Sequence, residues 1–395
     1  MDRLSTSTLH GRDRCQRPGC ALFHDAPLPA AHPSEVERAR VSTQVWTEGD
    51  LLYEEMVGAI GRARRSVRFE SFIFADDIVG QRLAQALAER AGAGIVVRVH
   101  IDALRVLIDR NQKLINRLRS AGVQLKLFGE LRLSRPRAFL RRNHRKLLVV
   151  DEQQAFLGGF NIHRQSSRNA VGVCRWRDTH VKLSGPIAKV AAQIFDTMWN
   201  GDPAASFSGC ARVADGEMLV ADSSRDCRHR LRCLLAAAFA QARRCLYLTT
   251  PYFVPPQEIE TALADAARRG VDVRLLLPQR SNHAFALAAG QARYGVLLRS
   301  GVRIFEYLPR LLHAKTVVVD SQWCTVGTAN IDYLSLFANH ELNVVSNEAA
   351  LAHRIEQDFL SDLRDSRELA RDTWETRPAS ARAAEWAAWS MRHWL

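Results

Sequence analysis

Asn143-His144-Arg145-Lys146-Leu147-Leu148-Val149-Val150-Asp151 decides the fold of this 395-residue chain, because Leu311-Leu312-His313-Ala314-Lys315-Thr316-Val317-Val318-Val319-Asp320 writes the same pattern a second time. In each copy a run of four apolar or β-branched residues predicts a buried strand, and period-two alternation puts the His and the Lys on one face of it. Seven residues beyond each Asp a turn of small residues begins and closes on an Asn: Gly158-Gly159-Phe160-Asn161 and Gly327-Thr328-Ala329-Asn330. Glycine at such a turn suits a close approach of backbone to a ligand.

The duplication extends outward from the two motifs. Ala59 to Arg65, the end of a helix, leads into the strand-like Ser66 to Phe74; Ala238 to Arg244 leads into Cys245 to Phe253 at an offset of 179 residues. An amphipathic helix follows in each half, then a strand with Arg98 opposite Arg274 at an offset of 176, and the His motifs recur at an offset of 169. So long a period is a duplicated domain and not a solenoid. Alternating helices and short β-branched strands predict an α/β fold of two lobes, each a mixed sheet flanked by helices, related by a pseudo-twofold axis on which equivalent residues meet. The expected organisation is a flexible leader over 1–40, a first lobe over 41–208, a second over 209–370 and a C-terminal Trp/Arg helix over 371–395.

Composition sets the outer bounds. Hydrophobic residues at 47% and charged residues at 25% are those of a globular protein, and no apolar run reaches the roughly 20 residues that cross a bilayer. The N-terminus, MDRLSTSTLHGRDRC, has no apolar stretch of the kind a secretory signal needs. A net charge of +13 implies an anionic partner, either nucleic acid or an acidic lipid surface, and charge alone does not choose. The eight cysteines show no CxxC spacing, so neither a zinc site nor a disulfide framework is indicated; Cys15 and Cys20, flanked by His10 and His24, sit in a Pro- and Arg-rich tail. Only six of the 55 basic residues are lysine, and two of those six are Lys146 and Lys315. Both positions therefore call for a compact ammonium and not a planar guanidinium.

An imidazole and an ammonium side by side on a rigid strand place a nucleophile or proton carrier next to a charge that binds a phosphoryl oxygen, and a nearby Asn amide adds a donor. Here the chain resembles the phospholipase D superfamily, whose signature is this His-x-Lys-x4-Asp-x6-Gly-x-x-Asn pattern; both copies match, and the resemblance covers about residues 41 to 365. The resemblance implies two phospholipase D-type lobes and one site built from His144, Lys146, Asp151, His313, Lys315 and Asp320. One histidine attacks phosphorus to form a phosphohistidine while the other protonates the departing oxygen, with no metal or other cofactor. Carried to this chain, His144 is the nucleophile and His313 the acid/base; Lys146, Lys315, Asn161 and Asn330 hold the non-bridging oxygens, while Asp151 and Asp320 support the strands. A histidine in such a role needs a carboxylate to orient it. Asp178, 34 residues after His144, and Glu341, 28 after His313, are the candidates, each expected to serve the histidine of its own lobe.

The motif names the reaction and not the substrate. Arg177 to Pro186, Pro251-Tyr252-Phe253-Val254-Pro255, Gly327 to Asp332, Ser335-Leu336-Phe337 and Glu341-Leu342-Asn343 resemble the bacterial cardiolipin synthase branch, in the short form without transmembrane helices. That resemblance implies a phosphatidyltransferase acting between two phosphatidylglycerol molecules, peripheral on the cytoplasmic side of the inner membrane, with anionic phospholipid as substrate and partner. A phospholipase D-like hydrolase or a nuclease is the alternative, and internal duplication counts against the nuclease. The stretch from Ser380 to Leu395 carries Trp386, Trp389 and Trp394 on one broad helical face, which suits either an interfacial anchor or packing on its own lobe.

Overall fold

A computed structural model of the chain describes residues 42–130, 141–201, 210–214, 217–222 and 230–394. The expected leader over 1–40, Cys15 and Cys20, and the expected lobe boundary at 208/209 lie outside the described residues. Sixteen strands form two sheets among the described residues. The first holds β1 (Ser42–Trp46), β2 (Ser66–Ser71), β3 (Val96–Asp102), β4 (Gln124–Phe128), β5 (Leu147–Val150), β6 (Gln154–Gly158) and β7 (His180–Ser184), in the order β1-β7-β6-β5-β2-β3-β4. The second holds β8 (Cys210–Ala214), β9 (Glu217–Asp222), β10 (Cys245–Thr249), β11 (Asp272–Pro278), β12 (Arg303–Tyr307), β13 (Thr316–Val319), β14 (Trp323–Gly327), β15 (Glu341–Ser346) and β16 (Ser366–Glu368). Its order is β16-β12-β11-β10-β13-β14-β15-β9-β8.

Set aside β8 and β16 at the edges, and the two orders are the same. Both sheets are mixed: β2, β3 and β4 run parallel, as do β10, β11 and β12, while the motif strands β5 and β13 add antiparallel. Register repeats as well, with Val67 opposite Val150 in one lobe and Leu246 opposite Val319 in the other. The first lobe carries α1 (Gly49–Gly61), α2 (Ile78–Gly92), α3 (Ala103–Asp109), α4 (Gln112–Ser120), the single turn α5 (Arg168–Val171) and α6 (Pro186–Trp199). Following these are α7 (Arg230–Gln241), α8 (Gln257–Arg268), α9 (Ala284–Arg299), α10 (Ala349–Arg364), α11 (Arg371–Glu375) and α12 (Ala379–Ser390).

The motif strands are buried at every position, and apolar at all but Thr316, because both of their faces are covered. Leu148 and Val150 point into a core built with α1, α2 and α4, while Leu147 and Val149 point the other way. On that second side they meet Leu219, Val318, Val326, Leu342 and Val344 of the second sheet, with α6 contributing Ile187 and Phe195 and α10 contributing Leu351 and Ile355. One core is thus shared by both lobes, and the described residues fall within a single compact unit. No helix among the described residues is long and apolar enough to cross a membrane. The C-terminal helix α12 packs on α9; Trp389 lies against Val254 and Ala289, whereas Trp386 and Trp394 are 55% and 69% exposed. The three tryptophans therefore do not share one exposed face.

Candidate active site

His144 and His313 each sit just before a strand, not on it: the hydrogen-bonded ladders begin at Leu147 and Thr316. The reason is that the preceding residues pair with the opposite lobe. His144 N donates to His340 O at 3.0 Å and His340 N to Arg142 O at 2.9 Å, making a parallel bridge between Asn143 and His340. Reciprocally, His313 N donates to Arg177 O at 2.7 Å and Arg177 N to Leu311 O at 2.8 Å, which bridges Arg177 to Leu312. These twin bridges are the pseudo-twofold contact, and they bring the two half-sites face to face.

The bridges also correct the expected carboxylate pairing. Glu341, one residue past His340, places both carboxylate oxygens 3.0 Å from Nδ1 of His144, and Asp178, one residue past Arg177, places Oδ2 at 2.6 Å from Nδ1 of His313. Each acid orients the histidine of the other lobe, because the segment bearing it is bridged to that lobe. Asp151 and Asp320 are in neither half-site. Asp151 accepts from the backbone N–H groups of Arg64, Arg65 and Ser66 at 2.8–2.9 Å, and Asp320 from those of Arg243, Arg244 and Cys245 at 2.7–3.0 Å. Both have positive φ, 53° and 54°, at the turn that ends the motif strand. They tie that turn to the start of the adjacent strand, as support residues, and are removed from the catalytic set.

Lys146 and Lys315 are each 2% exposed. The Lys146 ammonium donates to His144 O at 2.8 Å and lies 5.6 Å over the Phe72 ring; that of Lys315 donates to His313 O and stands 2.9 Å from the ring Nδ1 of His313. Asn161 Oδ1 accepts from Ile73 N at 3.2 Å, which leaves its NH2 to donate. Asn330 is equally buried, and its Oδ1 has no hydrogen-bond partner among the described residues. The motif glycines permit the close strand contacts: a Cβ on Gly158 would lie 2.5 Å from Thr179 O, and one on Gly159 only 1.9 Å from Asp178 Oδ1. In the second lobe Thr328 takes the place of Gly159, and its hydroxyl donates to Glu341 Oε2 at 2.5 Å.

Two buried ammonium groups and two buried imidazoles in one site shift each other. Burial first, then the charge of Lys315, pushes Lys146 down to about 7. Burial likewise brings Lys315 to about 8 against the pull of Asp178 and Glu341. His144 is held below its ordinary value by burial, with Glu341 pulling up and Lys146 adding to the fall. His313 lies well below, through burial, Lys315 and Lys146. The two carboxylates differ in sign. Burial raises Asp178, whereas for Glu341 the same penalty is outweighed by His144, Lys146 and the Thr328 hydroxyl, leaving it lowered.

Several neighbours were not singled out from the sequence. The Phe72 ring stands 5.0 Å from that of His144, and His313 lies 5.2 Å from Trp176 and 6.4 Å from Tyr252. Behind His144, Glu70 accepts from Asn143 Nδ2 and is held below its ordinary value against burial by His100 and Arg145. Arg145 in turn donates from Nε to Glu341 O at 3.3 Å. Strand neighbours at these positions in the second lobe, Thr249, Leu312 and Ala314, carry no charge, so the half-sites are backed differently. The signal was present in the sequence as charged residues in or beside buried strands, a pattern that asks for buried partners.

A sequence profile described as "Cardiolipin synthase, PLD-like domain" matches residues 56–199 and 235–363. The chain is 30% identical over 361 residues to a cardiolipin synthase of Clostridium perfringens, covering 88% of this chain and 75% of the relative. With a cardiolipin synthase of Geobacillus kaustophilus it shares 32% over 357 residues, 87% of this chain and 70% of the other. Among solved structures, phosphatidylserine synthase of Haemophilus influenzae has a similar fold, with a TM-score of 0.71, 12% identity, and coverage of 89% and 95% of the two chains.

Proposed function

Because the chain belongs to the cardiolipin synthase family of phospholipase D-like phosphatidyltransferases, we propose that it moves a phosphatidyl group from one phosphatidylglycerol to another through a phosphohistidine. The observation that carries this is the pair of facing histidines, each with Nδ1 on a buried carboxylate and an ammonium alongside. With Nδ1–H given to the carboxylate, Nε2 keeps its lone pair. His144 Nε2 attacks phosphorus, the P–O bond to the headgroup breaks, and His313, which enters this step protonated on both ring nitrogens, gives its Nε2 proton to the departing glycerol oxygen. His313 then takes the proton of the acceptor hydroxyl, whose oxygen displaces His144 and forms cardiolipin. Lys146, Lys315, Asn161 and Asn330 receive the non-bridging oxygens. What supports His144 as nucleophile is the lowered Glu341, a firm anion behind its Nδ1–H; the raised Asp178 suits a histidine that shuttles a proton.

The substrate sits in a bilayer, so the protein works at a lipid surface, peripherally. Leu107 and Ile108 on α3, 76% and 56% exposed, and the outward Trp386 and Trp394 are apolar groups available to such a surface, and the net charge of +13 adds attraction to an anionic leaflet. The test is to incubate purified protein with phosphatidylglycerol vesicles and, separately, plasmid DNA. Cardiolipin with an equimolar release of glycerol is expected. Phosphatidic acid without cardiolipin would make the protein a hydrolase, and nicked plasmid a nuclease; either result overturns the proposal.

A further inference from the structure

The catalytic centre is nearly symmetric, but its mouth is not. Beyond β3, Asp102 caps α3 by accepting from Leu104 N at 3.1 Å, and α3 carries Arg105. The Arg105 guanidinium lies 5.7 Å from the centre of the Phe72 ring, the same ring that lies 5.6 Å from the Lys146 ammonium and 5.0 Å from the His144 ring. Arg105 is thus one aromatic ring away from the phosphate-binding lysine. It is held there by Asp109, whose Oδ1 accepts from Nη2 at 2.6 Å. Its Nε is buried with no hydrogen-bond partner among the described residues, and so is Oδ2 of Asp109. A buried donor and a buried acceptor left open side by side at the rim of a site are costly unless a ligand completes them.

The second lobe reaches toward the same place with different chemistry. After β11 the chain presents Asn282 and His283; Tyr252 donates its hydroxyl to Asn282 Oδ1 at 2.7 Å, and its ring lies 5.2 Å from that of His283 and 6.4 Å from that of His313. Arg105 is near enough that its charge, after burial, adds to the lowering of His283. Phe72, Arg105, His283 and Tyr252 therefore run across the mouth from one catalytic histidine to the other, with the cation on the first lobe only.

We infer that the Arg105–Asp109 pair is the acceptor subsite: it binds an alcohol that itself carries a phosphodiester, the anion on Arg105 and a free headgroup hydroxyl on Asp109. This rests on the phosphatidylglycerol reading and adds to it what separates transfer from hydrolysis. The donor's phosphorus must lie between the histidines, where two lysines and two asparagines serve its oxygens. An acceptor lipid brings a second phosphate joined to its attacking hydroxyl by a three-carbon spacer, and that second anion needs a cation outside the centre but within reach of it. Water and simple alcohols bring no anion and gain nothing from Arg105. Leu107 and Ile108, exposed on the same helix, put this subsite at the edge from which a lipid arrives.

The experiment supplies wild type, Arg105→Gln and Arg105→Lys with phosphatidylglycerol vesicles in buffer containing ethanol, and measures cardiolipin against phosphatidylethanol. A folding defect lowers both products together, so the ratio reads the acceptor subsite alone. The expected result is a ratio at least tenfold lower in Arg105→Gln, with partial recovery in Arg105→Lys. Wild type forming cardiolipin, with the same ratio in Arg105→Gln, overturns the subsite and leaves the proposed function standing. Wild type forming phosphatidylethanol but no cardiolipin overturns the proposed function, and the acceptor subsite falls with it.

Discussion

At the scale of single residues, the site is set by burial of like charges. With Lys146 at about 7 and Lys315 at about 8, the site loses its two ammonium charges as pH rises through that window. kcat/KM should therefore fall on the alkaline side of about 7, where exposed lysines would remain charged; a rate flat to the ordinary lysine range would contradict this. The crossed carboxylates make a sharper prediction. Asp178→Asn acts on His313, not His144, and should lower turnover on the order of 10²- to 10⁴-fold with little change in thermal midpoint. If His144 is the nucleophile, a donor with a leaving group that needs no protonation restores the first step of Asp178→Asn but not that of Glu341→Gln, read as a burst of released alcohol. Another residue, His180, bears on stability. Burial pushes His180 down to about 3 from its ordinary 6.5, so protons bind the unfolded chain first; stability is full above 6.5 and is lost progressively as pH falls toward 3. Asn343 holds the matching register position opposite the motif glycine in the second lobe. His180→Asn should flatten the acid-side decline in thermal midpoint, and an unaltered slope would remove His180 from the account.

At the scale of elements, the strands and their duplication were legible because a buried strand writes its period into the sequence. β5, β13, the glycine turns and the three helix-strand offsets all fall where the repeat put them. The crossed pairing was not legible, because it depends on which segments bridge the lobes: nothing local to Asp178 says that Arg177 pairs with Leu312. The same limit hid the charge interaction of buried Glu70 with Arg145, residues distant in sequence that are brought near one another only once β2 lies beside β5. Neutralising Glu70 leaves the buried Arg145 and His100 without that compensating charge, so Glu70→Gln should cost about 1–3 kcal/mol. The double replacement Glu70→Thr with Arg145→Ala, copying Thr249 and Ala314, should cost less, as measured by denaturant midpoints. For α3, Leu107→Ser with Ile108→Ser should weaken sedimentation with phosphatidylglycerol vesicles about tenfold or more, since each side chain contributes roughly 1.5–3 kcal/mol when fully inserted. Unchanged sedimentation would move the membrane contact elsewhere.

At the scale of the whole molecule, the core formed by β5, β6 and β7 with β9, β14 and β15 fastens one face of each sheet to the other lobe, although the first sheet keeps a core of its own on its opposite face. Calorimetry should therefore show one cooperative transition for both lobes; two resolved transitions would mean that the lobes fold independently. The crossed histidine–carboxylate pairs bear on inheritance too. A change at residue 178 has its effect at 313, and a change at 341 has its effect at 144, so each half of the gene is selected through the other half. The two copies differ at their mouths, with Arg105 on one side and Asn282 and His283 on the other, but share the exchange of carboxylates. Either copy cut loose would keep its histidine and lose the group that aims it.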